Sequence, residues 1–193
     1  MTEKGVKGAY LASQHIREAI LNGGIVVGDS NGKISDSLEK RIQPASLDAA
    51  IGDELFVIDT HEIGLFRPRS DKSVYRSLLE LPKSRRREED ITNGYEVKKG
   101  FTYLIKLDSK ISSMANSFRA VRSSPKSSMG RLFAHTRLLA DGANTFDEFR
   151  IDLDNPKDVD MWVSLQPHAF NLIVYPGITL NQLRFLQGGD QKS

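Results

Sequence analysis

Ten consecutive residues, Ser123-Ser124-Pro125-Lys126-Ser127-Ser128-Met129-Gly130-Arg131-Leu132, hold four serines, two cations, a glycine and a proline. Such a mixture suits anion binding. Small hydroxyls and backbone N–H groups can crowd against phosphate oxygens where glycine allows close approach, while Lys and Arg bring charge and a forked donor geometry. The segment lacks the G-x-x-x-x-G-K-[ST] order of a P-loop and has no βαβ setting, so composition alone leaves a plain serine-rich loop as the alternative.

Other chemistries are narrowed by what the sequence contains. With no cysteine among 193 residues, disulfides, thiolate nucleophiles and the P-C-x-x-C zinc site of metal-dependent nucleobase deaminases are excluded. His135, in an alternating stretch, reads as a half-buried strand histidine and His168 as a loop residue, and no His and carboxylate spacing suggests a protein-held metal. The net charge of +2 does not argue for nucleic acid. The run Lys83-Ser84-Arg85-Arg86-Arg87 is followed at once by Glu88-Glu89-Asp90 and reads as a solvated, self-neutralising loop. No apolar run reaches the roughly 20 residues of a bilayer span, and Met1-Thr2-Glu3-Lys4-Gly5 has no signal-peptide core, so no membrane partner and a cytoplasmic location are expected.

The elements that must position this chemistry are mostly short strands. Leu11, Ile16, Ala19 and Ile20 have near-helical spacing, with Ser13 as N-cap and Gly23-Gly24 as stop, which predicts one N-terminal helix. Ile25-Val26-Val27 predicts a strand, and Ile42 to Asp59 a turn and two strands broken at Gly52-Asp53-Glu54. Phe101, Tyr103, Ile105 and Leu107 alternate with Thr102, Leu104 and Lys106, the mark of a half-buried strand. Further strands are expected near 118–121, 132–139, 161–165, 169–175 and 180–186, with Trp162, Phe170 and Tyr175 in the core and a β-turn at Pro176-Gly177. The pattern is mainly β: an antiparallel barrel or jelly-roll with a short N-terminal helix, in a single domain over 1–193. Residues 67–98 read as an irregular insertion and 188–193 as a flexible tail.

Several motifs stand in order: Ile42-Gln43-Pro44-Ala45-Ser46-Leu47-Asp48 with Ile51-Gly52, then Lys126-Ser127-Ser128-x-Gly130-Arg131, then Tyr175-Pro176-Gly177, then Asn181-Gln182-Leu183. From about Leu11 to Phe185 this series resembles the dCTP deaminase family of the dUTPase-like superfamily, in the version found in the first repeat of its long two-repeat members. The resemblance implies a distorted β-barrel, assembled as a trimer with sites between subunits. It implies an enzyme, a hydrolase that converts dCTP and water to dUTP and ammonia, in dUTP biosynthesis. Lys126, Ser127, Ser128, Arg131 and Gln182 then match phosphate contacts, with Ser127 and Arg131 also helping to hold the reacting water, and Asp147 matches the aspartate that orients sugar and water. The ligand would be a dCTP- or dUTP-type nucleotide carrying its own Mg²⁺.

Two departures bear on activity. The chain ends at Gly188 to Ser193 without the aromatic and basic tail that closes over the triphosphate in single-repeat members. Ser164, in Met161-Trp162-Val163-Ser164-Leu165-Gln166-Pro167, stands where the family carries the glutamate that shuttles protons. A serine hydroxyl holds no negative charge at neutral pH, and loss of a general acid–base costs about 10²–10⁴ in rate. The resemblance therefore also admits a non-catalytic nucleotide-binding or regulatory subunit, or a dUTP diphosphatase using Asp147.

Overall fold

A computed structural model describes residues 9–28, 30, 32–59 and 66–187. The expected tail at 188–193 lies outside them. The strands are β1 (Ala9–Tyr10), β2 (Ile25–Val27), β3 (Ile42–Gln43), β4 (Ser46–Ile58), β5 (Arg86–Asp90), β6 (Tyr95–Val97) and β7 (Thr102–Ile111), followed by β8 (Ala120–Pro125), β9 (Ala134–Ala140), β10 (Glu148–Arg150), β11 (Val159–Pro167), β12 (Leu172–Val174) and β13 (Thr179–Gln187). Four short helices punctuate them: α1 (Ser13–Leu21), α2 (Asp36–Glu39), α3 (Val74–Leu79) and α4 (Ser127–Arg131). The main path runs β10-β8-β13-β4-β7-β11-β9, antiparallel throughout, with β1, β2, β3 and β5 on its flanks and a separate β6–β12 pair. It curls into a nearly closed barrel, as the sequence pattern predicts.

The barrel interior holds one continuous apolar core. Leu47, Ala49, Ile51, Leu55 and Val57 of β4 face Tyr103, Ile105 and Leu107 of β7, and Ile16, Ala19 and Ile20 of α1 pack against the same core. Gly52 does not break β4, which runs on through a bulge in its pairing with β7 between Ile51 and Leu55. A Cβ at Gly52 would stand 3.4 Å from the Lys106 carbonyl oxygen, an ordinary contact, so the glycine marks the bulge rather than a turn of the chain. Helix α1 starts at Ser13, but the N-cap position is Ala12, and the Ser13 N–H donates to the Pro44 carbonyl at 2.9 Å instead of the serine side chain capping the helix.

The outer face of β4, β7, β9 and β11 is buried as well. Phe56, Ile58, Leu104, Leu139 and Trp162 form a second cluster, covered by Val74 and Leu78 of α3. Trp162 is tilted against Phe56 at 6.0 Å and stacked with Tyr75 at 6.4 Å. Strict alternation in β7 therefore fails as a guide, because Leu104 is as buried as Tyr103 and Ile105. The stretch 67–98, expected to be irregular, contains α3, a 3-10 turn at Lys83–Arg85, and strands β5 and β6. The Ser73 hydroxyl caps α3 by accepting the Arg76 N–H at 3.1 Å. The basic run expected to be a loop instead enters β5 against β4, with Arg85 bridging Asp59 and Arg87 bridging Glu89.

Two aromatic residues expected in the core lie at the surface. Phe170, in the bend before β12, is 56% exposed, and Tyr175, just after β12, is 46% exposed. Its ring covers Gly94, whose φ of 88° and lack of a side chain make room for it. Phe101 is also exposed, because β7 begins one residue later. His135 is exposed on β9, and His168 follows the end of β11. The turn at Pro176-Gly177 is present, with Gly177 at φ 91° and the Ile178 N–H donating to the Tyr175 carbonyl.

If α3 is the lid of a second core, Leu78→Ala will cost about 2–4 kcal/mol in urea unfolding. Leu79→Ala, one residue on and 45% exposed, will stay within about 0.5 kcal/mol.

Candidate functional site

Strand β8 ends in the serine-rich segment and α4 makes a single tight turn from it. Lys126, at the N-cap position, donates its backbone N–H to Leu180 of β13 at 2.9 Å and accepts from Met129. Met129 is buried and anchors the turn, while Ser127, Gly130 and Arg131 are exposed and Ser128 is half-buried. Among the described residues, the Ser127 and Ser128 hydroxyls and the Arg131 guanidinium have no protein partner, so their donors are available to a ligand. The expected anion-binding residues thus share one turn with a helical rather than a looped backbone.

The Lys126 side chain points inward. Its Nζ lies 2.6 Å from Asp48 Oδ2 and 2.8 Å from Thr179 Oγ1. Gln182 Nε2 donates to the other Asp48 oxygen at 3.2 Å. The register explains this meeting, because Gln182 of β13 is paired with Asp48 on β4 and with Ser124 on β8. Asp48 is only 6% exposed. A carboxylate so buried needs such partners, and its backbone carbonyl also takes Arg41 Nε at 2.9 Å.

Asp147 sits where the two ends of the sheet meet. At φ 63° it donates its N–H to the Leu138 carbonyl of β9 at 3.0 Å, while its carbonyl accepts the Ser123 N–H of β8 at 2.8 Å. Its Oδ1 accepts the Leu138 N–H at 2.7 Å and its Oδ2 accepts from Arg137 Nε. The Arg137 guanidinium also lies over the Phe146 ring at 4.8 Å. Ser164, half-buried on β11, is paired across the ladder with Arg137. The loop leading to Asp147 borders a surface cleft of about 610 Å³, lined by residues 141–146 and 148–150. Burial pushes the Asp141 carboxyl above its ordinary value, although its Oδ1 accepts the Val74 N–H at 2.8 Å.

Residues 7–189 match the family model for the 2'-deoxycytidine 5'-triphosphate deaminase (DCD) N-terminal domain. The chain belongs to that family. Its fold is also that of the crystal structure of 2'-deoxycytidine 5'-triphosphate deaminase from Agrobacterium tumefaciens, with a TM-score of 0.78, 24% identity and coverage of 94% of this chain. Only 48% of that protein is covered, so the chain spans about half the length of the structure it matches. No curated protein sequence matches the chain.

Within this deaminase-family barrel, the serine-rich turn and the Asp147 hairpin are joined through β8, since the Asp147 carbonyl accepts the Ser123 N–H, three residues before Lys126. Three residues around them escaped notice as site residues in the sequence: Asp48, Thr179 and Arg137. For Asp48 a signal existed. A lone carboxylate in Leu47-Asp48-Ala49-Ala50-Ile51 must find partners or turn outward. No group of three or more His, Cys, Asp or Glu able to hold a metal occurs among the described residues, and no helix there is long and apolar enough to cross a membrane.

Two outcomes follow from the hairpin. Asp147→Asn keeps an oxygen for the Leu138 N–H and tolerates positive φ, so it will cost less than about 1 kcal/mol, whereas Asp147→Ala loses both and will cost about 2 kcal/mol in urea unfolding. Asp141, raised by burial, binds protons more tightly folded than unfolded, so its contribution to stability falls as pH rises through and above the ordinary carboxylate range. Asp141→Asn should therefore gain on the wild type in melting temperature between about pH 3 and about pH 7. A constant difference would contradict that assignment.

Proposed function

We propose that this domain binds the triphosphate of a pyrimidine deoxynucleotide with its Mg²⁺ and serves the deamination of dCTP to dUTP and ammonia, as the first repeat of a longer, trimer-like assembly. The observation that carries the reading is the turn at 126–131, where two serine hydroxyls and the Arg131 guanidinium stand without protein partners in a chain of the deaminase family. Ser127, Ser128 and Arg131 are the proposed phosphate contacts, while Lys126 and Gln182, which the resemblance implies as further contacts, are turned to Asp48 and line the turn from behind. The cleft beside the Asp147 loop offers room for sugar and base.

In such a reaction, water adds to the amino-bearing carbon of the cytosine ring, its proton passes to the ring nitrogen, and the amino group leaves as ammonia after gaining a proton. Ser127 and Arg131 can orient the water. The proton relay needs a group that can hold charge. Ser164 cannot, and the Asp147 carboxylate is held by the Leu138 N–H and the Arg137 guanidinium. That arrangement favours, as a second reading, a domain that binds nucleotide and leaves turnover to another part of the assembly. Acting as a dUTP diphosphatase would have Asp147 accept from the attacking water through its remaining lone pairs while Arg137 holds it.

Isothermal calorimetry with dCTP and Mg²⁺ tests the binding reading, and Arg131→Gln should weaken binding about tenfold or more. Ammonia release from saturating dCTP separates the two readings. A wild-type domain that binds without releasing ammonia, and that gains turnover with Ser164→Glu, fits a site that lacks only its proton shuttle. Absence of rescue favours a dedicated binding domain. Pyrophosphate release from dUTP that is abolished by Asp147→Asn would move the assignment to the diphosphatase.

A further inference from the structure

The phosphate turn carries two cations of very different status. Arg131 is exposed and has no protein partner among the described residues. Lys126 is held 2.6 Å from a carboxylate whose side chain is 8% exposed, and its own side chain is 26% exposed. Two of its three ammonium donors go to Asp48 and Thr179. Gln182, on the neighbouring strand β13, is turned toward the same carboxylate. A charge paired at contact distance with an opposite one contributes little field beyond the pair.

We infer that Asp48 sets the charge the turn offers to a ligand: by pairing with Lys126 it leaves Arg131 as the one uncompensated cation on residues 126–131. Asp48 is thus a positioning residue, which does not itself touch ligand. This inference rests on the proposed phosphate site and says how that site is tuned.

The geometry makes the test specific. Asp48→Asn preserves shape and an oxygen for the Lys126 ammonium, and the Gln182 amide can turn its oxygen toward the new amide N–H. Position is kept and the charge is released. Binding of dCTP with Mg²⁺ to the full chain should tighten about fivefold at low salt, with a steeper loss of affinity as salt rises. The double variant Asp48→Asn/Lys126→Gln restores a neutral pair and should return both affinity and salt dependence to wild type. A purely structural role for Asp48 would not change the salt dependence in this paired way.

Unchanged affinity and salt dependence in Asp48→Asn would overturn the inference. So would weaker binding, which would mean that Lys126 already acts on the ligand and Asp48 merely steers it. Should Asp48→Asn not fold, the apolar pair Asp48→Leu/Lys126→Met decides, because it removes both charges at once. A change under about twofold, with the wild-type salt dependence, supports charge cancellation, and a loss as large as that of Arg131→Gln refutes it. If the wild type binds neither dCTP nor dUTP at millimolar concentration, the phosphate site itself is refuted. Binding with an unmoved salt dependence refutes only the role of Asp48.

Discussion

A curled sheet has two free edges, and in this barrel Asp147 bridges them. Asp147 hydrogen-bonds to β9 through its N–H and carboxylate and to β8 through its carbonyl. Among the described residues no ladder closes that seam, and the strand pairing runs from β10 and β8 at one end to β9 at the other. The left-handed backbone that permits this double reach is one that aspartate adopts more readily than most residues. Unpaired edges invite association with other chains, and closure removes that hazard while it fixes the hairpin beside the turn at α4. The carboxylate that family resemblance marks for substrate chemistry is therefore also part of the frame, and its Arg137 partner ties it to the strand facing Ser164.

The strands were legible from the sequence where one face alone decided the pattern. The interior sides of β7, β11 and β13 follow their apolar residues, and the serine-rich segment lies at the end of a strand. Legibility failed where burial came from both sides. Leu104, Leu139 and Trp162 face outward from the barrel, yet α3 covers them, so alternation could not reveal that second layer. The helix that covers them is only six residues long, too short for a periodic signal, although its Ser73 cap is readable in retrospect. Glycine misled at position 52, where it marks a bulge rather than a turn. Phe170 and Tyr175 show the converse, since aromatic residues next to strands carry the pattern of core and lie on the surface.

The site was legible as residue types but not as partnerships. The turn's serines and Arg131 gather as the motif suggests, whereas the coupling of Lys126 and Gln182 to Asp48 depends on the register of β13 between β4 and β8. That register is a long-range property, linking residues more than 130 positions apart, as in the Gln182–Asp48 bond. A slip of one residue would turn Gln182 to the other face and leave a buried carboxylate with one partner fewer. Binding geometry, barrel closure and charge therefore stem from the same strand pairings. Turnover is a separate matter, since position 164 carries a hydroxyl and its ladder partner Arg137 is already paired with the Asp147 carboxylate.

The most direct test is a crystal structure of the assembled protein with dCTP and Mg²⁺ bound. The account places the phosphate oxygens within hydrogen-bond distance of the Ser127 and Ser128 hydroxyls and the Arg131 guanidinium, at a junction between barrels, with Lys126 still on Asp48. Phosphates bound elsewhere, with the turn at 126–131 facing open solvent away from any neighbouring barrel, would contradict it.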